Sequence, residues 1–313
     1  TSSATTMAGV NLYQNRMILT HGSSTDTTLT GTSTTNSNLA YYDADNDADI
    51  PFWANSGTLE IKAGFELHVG AGTEFASGGA VTLYGGKAAG GIDGNLHLPV
   101  GNATSSIMTL GGALTLAGSL NASSTSILNP GAQTITFNAT TSGKIIIATT
   151  SPTKTLGAVT FNGSSGGWTF GDNASTTDFT ISAGSVTAPT LLSVGGNFSN
   201  SGTFTHNSGT VYFTGTTKTL TPGSSTFNNV TMSGTYSSPP STTWTVAGNA
   251  DFTGGTFTPS TGHTLTMNGT GKTLTSSSNT FKNLTLSGTV TTVGATAATG
   301  TLQLSGTVTL GGT

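Results

Sequence analysis

An internal repeat constrains the fold of this chain more than any other feature of its sequence. The segment GNFSNSGTFTHNSGTVYFTGTTKTLTPGSSTFNNVTMSGT (196–235) aligns with GNADFTGGTFTPSTGHTLTMNGTGKTLTSSSNTFKNLTLSGT (248–289). Matched residues lie 52 to 54 positions apart, as in Phe204 with Phe257, Phe227 with Phe281 and Val230 with Leu284. Self-similarity at a fixed period is typical of arrays in which each unit buries its apolar residues against its neighbours.

Within the repeat, short apolar-x-apolar pairs alternate with Thr and Ser, as in Trp244/Val246 and Leu284/Leu286. This alternation predicts short β-strands, and no stretch has the period of an amphipathic helix. Each strand has too few inward side chains to form a layer alone, so we expect strands stacked into coils. The predicted fold is an all-β parallel β-solenoid with two coils per repeat; tandem antiparallel β-sandwiches are the alternative.

The charges divide the chain into two predicted regions. Nine of the 12 acidic residues lie at or before Asp93, and a Gly-rich stretch, GGKAAGGIDGN, covers residues 85–95. Glycine-rich segments between patterned segments are typical of loops. We therefore predict an amino-terminal β-rich region at 1–90, with an acidic loop, and a Thr/Gly-rich repeat region at 91–313.

The composition excludes several classes of function. Charged residues make up 6% of the chain, against about 25% in ordinary soluble domains. The net charge of −4 and the single arginine, Arg16, argue against nucleic-acid binding, which needs several cations on one face. No apolar run approaches the roughly 20 residues of a membrane helix. With no cysteine there are no disulfides, and the abundance of Thr, Ser, Gly and Asn predicts a secreted protein.

The repeats resemble a known class of proteins. The motifs TFNNVTMSGT and TFKNLTLSGT, each with KTL before it and with GNF or GNADF in the cycle, are similar to those of bacterial β-strand-repeat cell-surface proteins. The resemblance covers residues 95–313, and the stretch from NLYQNRMILTHG to TLYGG is similar to the amino-terminal part of such proteins. It implies a secreted or cell-surface structural protein without enzymatic activity. The resemblance provides no functional-site motif whose residues could be matched to positions in this sequence.

Four alternating carboxylates form the main candidate metal site, in the stretch YYDADNDADIPFW. They are Asp43, Asp45, Asp47 and Asp49. An extended backbone projects all four to one side, and hard oxygen ligands suit structural Ca²⁺. Ala54 stands where an EF-hand has its glutamate, so an EF-hand is excluded. Two alternatives remain: a non-helical calcium loop, or a solvated acidic turn.

Catalysis is not expected. After Asp93, the only acidic residues are Asp172, Asp178 and Asp251, and they do not form a facing pair. The five histidines show no metal-ligand spacing and are predicted to be exposed strand or turn residues. Trp168 and Trp244 occupy inward positions and are predicted to lie in the core. Nine Asn-x-Ser/Thr sequences permit glycosylation, but the abundance of Ser and Thr accounts for their number.

The two ends of a solenoid are candidate assembly surfaces, because uncovered strands pair readily with another chain. The carboxyl end reads LSGTVTLGGT, and residues 10–21 read VNLYQNRMILTH. The predicted contact residues are Leu12, Met17, Leu19, Val308 and Leu310. We therefore predict head-to-tail assembly with copies of itself into a surface filament or coat. The alternative is an S-layer component or adhesin that binds cell-surface glycans or other surfaces without polymerising.

Overall fold

The computed structural model describes most of the chain as short strands and turns. The described residues are 5–8, 11–12, 16–21, 27–30, 33–35, 38–43, 52–55, 59–61, 67–69, 74–77, 79–83, 95–98, 107–122, 126–148 and 155–311. For the strands before Leu59, the description covers the backbone and its pairing only. Contacts divide the chain into two compact units, Thr1–Asp172 and Asn173–Thr313. The predicted boundary at residues 85–95 stays a prediction.

The described residues of the first unit form nineteen strands. They are Thr5–Ala8 (β1), Asn11–Leu12 (β2), Arg16–His21 (β3), Thr27–Thr30 (β4), Ser33–Thr35 (β5), Asn38–Asp43 (β6), Phe52–Asn55 (β7), Leu59–Ile61 (β8), Leu67–Val69 (β9), Glu74–Ser77 (β10), Val81–Leu83 (β11), Leu96–Leu98 (β12), Ile107–Leu110 (β13), Leu114–Leu116 (β14), Leu120–Ala122 (β15), Ile127–Asn129 (β16), Thr134–Phe137 (β17), Lys144–Ile147 (β18) and Ala158–Phe170 (β19).

The second unit continues the same pattern of short strands. They are Ala174–Thr176 (β20), Phe179–Thr187 (β21), Leu191–Val194 (β22), Phe198–Asn200 (β23), Thr203–Thr205 (β24), Thr210–Phe213 (β25), Lys218–Thr221 (β26), Thr226–Phe227 (β27), Asn229–Met232 (β28), Thr235–Ser237 (β29), Thr243–Val246 (β30), Ala250–Asp251 (β31), Thr256–Thr258 (β32), Thr264–Met267 (β33), Thr270–Thr275 (β34), Thr280–Phe281 (β35), Asn283–Leu286 (β36), Thr289–Val293 (β37), Ala297–Ala298 (β38), Leu302–Leu304 (β39) and Val308–Leu310 (β40).

From β1 to β15, each strand of the first unit pairs in parallel with the third strand after it. One series runs β1–β4–β7–β10–β13–β16. A second runs β2–β5–β8–β11–β14–β17, and a third β3–β6–β9–β12–β15–β18. The long strand β19 then pairs with both β17 and β18. Three strands therefore make one coil.

The second unit is built in the same way. One continuous series runs β20–β22–β25–β28–β31–β34–β37–β40, and another runs β27–β30–β33–β36–β39. The third side is formed by β23–β26–β29–β32 and, separately, by β35–β38. Because the described pairs are parallel and the described residues include no helix, the predicted all-β parallel β-solenoid is confirmed, and antiparallel sandwiches are excluded.

The expectation of two coils per repeat is wrong. Val230 in β28 and its repeat equivalent Leu284 in β36 are eight strands apart. Because three strands make one coil, this distance is two complete coils and two further strands. β28 pairs with β25 and β31, whereas β36 pairs with β33 and β39. Equivalent segments of the repeat therefore lie on different sides of the solenoid.

Inward side chains of successive coils lie over one another and form the core of each unit. In the first unit, Leu114, Ile135 and Val159 occupy one such column and are buried. In the second, Trp244, Leu265 and Leu284 form a comparable buried column, so the predicted core position of Trp244 is confirmed, as is that of Trp168 in the first unit. Close packing of such columns stabilises each coil through its neighbours.

Outward positions carry threonine, also in register. Thr226, Thr245, Thr266 and Thr285 occupy one column of four successive coils in the second unit. Threonine is β-branched and favours strands, and neighbouring hydroxyls on one face interact across strands. Uncharged hydroxyls therefore cover this side of the solenoid.

Candidate functional site

The last described coil of the second unit presents an uncovered apolar edge. Leu302 and Leu304 in β39 pair with Leu284 and Leu286 of the preceding coil. The two inner leucines are each 1% exposed, whereas Leu302 is 54% and Leu304 49% exposed. All four occupy core columns. The outer pair is exposed because no further described coil covers it.

Strand β40 extends this edge. Val308 and Leu310 pair with Val290 and Thr292, which are buried, yet Leu310 is 70% exposed and Val308 is half-buried. The predicted assembly residues Val308 and Leu310 therefore lie at a strand edge that no further described strand covers. We refer to Leu302, Leu304, Val308 and Leu310 as the carboxyl-terminal edge.

Sequence reasoning missed Leu302 and Leu304 as edge residues. The pattern Leu-x-Leu identifies an inward pair on a strand, but it does not show whether another coil covers that strand. Their position in the final turns of the described array was the available signal.

The remaining predicted assembly residues lie in the first coil. Leu12 is in β2, and Met17 and Leu19 are in β3. Among the described strands, β1, β2 and β3 pair only with β4, β5 and β6 respectively. The opposite backbone edge of this coil therefore has no described partner strand.

Of the predicted calcium ligands, Asp43 alone is in a described element. It ends strand β6, where its backbone is in register with His21. Asp45, Asp47 and Asp49 lie outside the described residues. The described residues contain no group of three or more His, Asp or Glu side chains that could hold a metal ion. Calcium binding stays a prediction.

One histidine differs from the prediction of exposure. His263 is fully buried, and its ring meets Trp244 and Phe257 at centroid distances of 5.3 and 5.0 Å. Neither ring nitrogen has a hydrogen-bond partner, and burial lowers the pKa of His263 to about 4. The imidazole is therefore held as a neutral member of an aromatic core.

Asparagines at the coil corners have a structural task that the sequence did not reveal. Asn197, Asn229 and Asn283 each accept, through Oδ1, the backbone N–H of a residue in the next coil. The three distances are 2.9, 2.8 and 2.9 Å. Three of the Asn-x-Ser/Thr sequences are thus occupied in joining coils, which accounts for their asparagines without glycosylation.

The carboxylates of Asp172, Asp178 and Asp251 also accept hydrogen bonds from the backbone. Asp172 Oδ1 accepts the N–H of Ala148 at 2.9 Å, and Asp178 Oδ1 accepts the N–H of Asn197 at 2.6 Å. Asp251 Oδ1 accepts the N–H and the hydroxyl of Thr253. Each of these interactions stabilises a turn or a coil junction.

No helix among the described residues is long and apolar enough to span a bilayer. Comparison with protein-family models, with curated proteins and with solved structures finds no match for this chain.

Proposed function

We propose that the protein is an extracellular structural protein whose copies assemble head to tail into a cell-surface filament or coat. The observation that supports this most directly is the carboxyl-terminal edge, where leucines in core columns are about half exposed. Contiguous apolar groups at a strand edge that no further described strand covers favour the addition of another strand. The first coil of a second copy would supply it.

The energetics indicate what the contact must include. Full burial of a leucine contributes about 1.5–3 kcal/mol. Leu302, Leu304 and Leu310, each about half exposed or more, therefore together offer a few kcal/mol. Association costs roughly 4–15 kcal/mol, because two molecules lose translational and rotational freedom when they bind. Side-chain burial alone is therefore insufficient, and backbone pairing between β39–β40 and β1–β3 has to continue the parallel ladder.

Such a contact joins two different surfaces of the same chain. Leu12, Met17 and Leu19 would lie on one side, and the carboxyl-terminal edge on the other. Heterologous contacts of this kind generate open filaments unless their rotation closes a ring. An extracellular location rests on the low charge and on the resemblance of the repeats to surface proteins.

The test is a charge placed in the contact. Leu304→Lys puts an ammonium group into the proposed apolar junction and is expected to abolish filaments in electron micrographs and to leave monomers in sedimentation. Val293→Lys is the matched control, because Val293 is similarly exposed, at 45%, but lies in register with the outward Thr275 on the side of the coil.

Filaments that persist in Leu304→Lys, or a wild-type chain that stays monomeric at high concentration, would defeat the proposal. A monomer that binds glycans or surfaces would instead favour the S-layer or adhesin alternative.

A further inference from the structure

A cleft of about 360 Å³ opens on the second unit where two successive strands of one side do not pair. β29 pairs with β32, and β35 pairs with β38, but no ladder joins β32 to β35. The cleft lies at this interruption. Its lining includes Thr256, Thr258, Pro259, Asn279, Thr280 and Lys282.

The interruption is held in place by Asn279. Its Oδ1 accepts the N–H of Phe257 at 2.6 Å, and its Nδ2 donates to the carbonyls of Gly255 and Ser276 at 3.1 and 3.0 Å. The side chain is buried and links the two coils in place of a strand ladder. Ser277 and Ser278 have positive φ values of 47° and 67° in the adjoining turn. The opening is therefore a built feature of the coil rather than a frayed strand.

The chemistry of the cleft combines hydroxyl groups with one cation. Five of its lining residues are Thr or Ser, and Pro259 adds a small apolar surface. Lys282 is the only charged residue of the lining. The only acidic residues of the second unit are Asp178 and Asp251, and neither lines the cleft.

We infer that this cleft binds an acidic sugar residue of an anionic polysaccharide. The Thr and Ser hydroxyls match the donors and acceptors of a sugar ring, and the Lys282 ammonium matches its carboxylate. The volume lies within the roughly 300–1,000 Å³ of small-molecule sites. The inference goes beyond the proposed assembly and does not depend on it, since none of the lining residues belongs to the carboxyl-terminal edge.

The repeat supplies a suitable variant. Phe227 and Phe281 are repeat equivalents, so the position equivalent to Lys282 is Asn228. Lys282→Asn therefore removes the charge with a residue that the same fold already holds in its other copy. Lys218→Asn is the matched control: it makes the same change in the same unit, at a residue outside the cleft lining.

The experiment measures binding of trigalacturonate and of the neutral maltotriose by calorimetry at low salt. We expect wild type and Lys218→Asn to bind trigalacturonate, and Lys282→Asn to bind it about tenfold more weakly, as expected for loss of one charge-assisted hydrogen bond. Circular dichroism verifies folding, and Lys282→Gln replaces the asparagine variant if that variant does not fold.

Three results would overturn the inference: no binding of trigalacturonate, equal binding of maltotriose, or unchanged binding after the loss of Lys282. Assembly is scored separately by sedimentation of the same samples, so failure of this inference is distinct from failure of the proposed filament.

Discussion

At the scale of single residues, His263 makes the stability of the second unit sensitive to acid. Its pKa is lowered from 6.5 to about 4 by burial, with Trp244 and Phe257 against the ring. Between pH 4 and pH 6.5, His263 is protonated in the unfolded chain but neutral in the folded chain. Stability is therefore complete above pH 6.5 and falls as the pH decreases toward 4.

The expected loss for wild type between pH 7 and pH 4.5 is about 2–3 kcal/mol, since one pKa unit corresponds to about 1.4 kcal/mol. Urea unfolding at pH 7 and at pH 4.5 measures it. His263→Phe keeps an aromatic ring of similar size without a titrating group, and its stability should change less over the same interval. An identical pH dependence in both proteins would contradict this account.

At the scale of the structural element, the coil corners depend on glycines that approach the neighbouring coil. A Cβ at Gly234 would collide with the carbonyl oxygen of Gly215. At Gly195 the nearest atoms would be 3.6 Å away, which is an ordinary contact. The strand ladder therefore tolerates a side chain at one corner and excludes it at another.

We expect Gly234→Ala to lower the free energy of unfolding by about 1–3 kcal/mol, because the backbone of the adjacent coil has to move. Gly195→Ala is the matched control and should change stability by well under 1 kcal/mol. Chemical denaturation measures the free energy of unfolding of both variants. Similar values would contradict this prediction, because they would show that the backbone at Gly234 accommodates a Cβ.

The elements could be predicted largely from the sequence, because Trp244-Thr-Val246 and Leu284-Thr-Leu286 alternate strictly and a half-buried strand requires that alternation. The number of strands per coil could not be predicted, because it depends on which turns bend the chain at a corner of the coil. Similar Gly and Asn turns occur throughout the sequence. The burial of His263 was missed since a single polar residue in a turn gives no sign of the aromatic rings around it.

For the candidate site, the sequence predicts Val308 and Leu310 as contact residues but gives no sign of the exposed Leu302 and Leu304 beside them. Exposure at an edge depends on whether another coil follows, which is a property of stacking and not of the strand's own residues. The cleft beside Lys282 was missed for a related reason: it results from a pairing that is absent between β32 and β35, and the sequence of each strand is ordinary.

At the scale of the whole molecule, the scarcity of charge sets how the proposed assembly should respond to salt. No residue from Asn283 to Gly311 is charged, so the carboxyl-terminal edge offers no ion pair to a partner. Raising NaCl from about 0.1 to 1 M shortens the screening length from about 10 to 3 Å. Filaments should therefore persist or increase in light scattering and micrographs. Dissolution at high salt would indicate an electrostatic junction instead.

The mismatch between an eight-strand repeat and a three-strand coil has a consequence for how such a gene can grow. Each tandem duplication adds eight strands, which are two complete coils and two of the three strands of another. The coils that follow the duplication are therefore rotated by one third of a revolution about the solenoid axis. A loop acquired in one copy is therefore displayed in a new direction by the next. Only after three duplications does the original direction return, which lets an expanding array distribute one motif around its whole circumference.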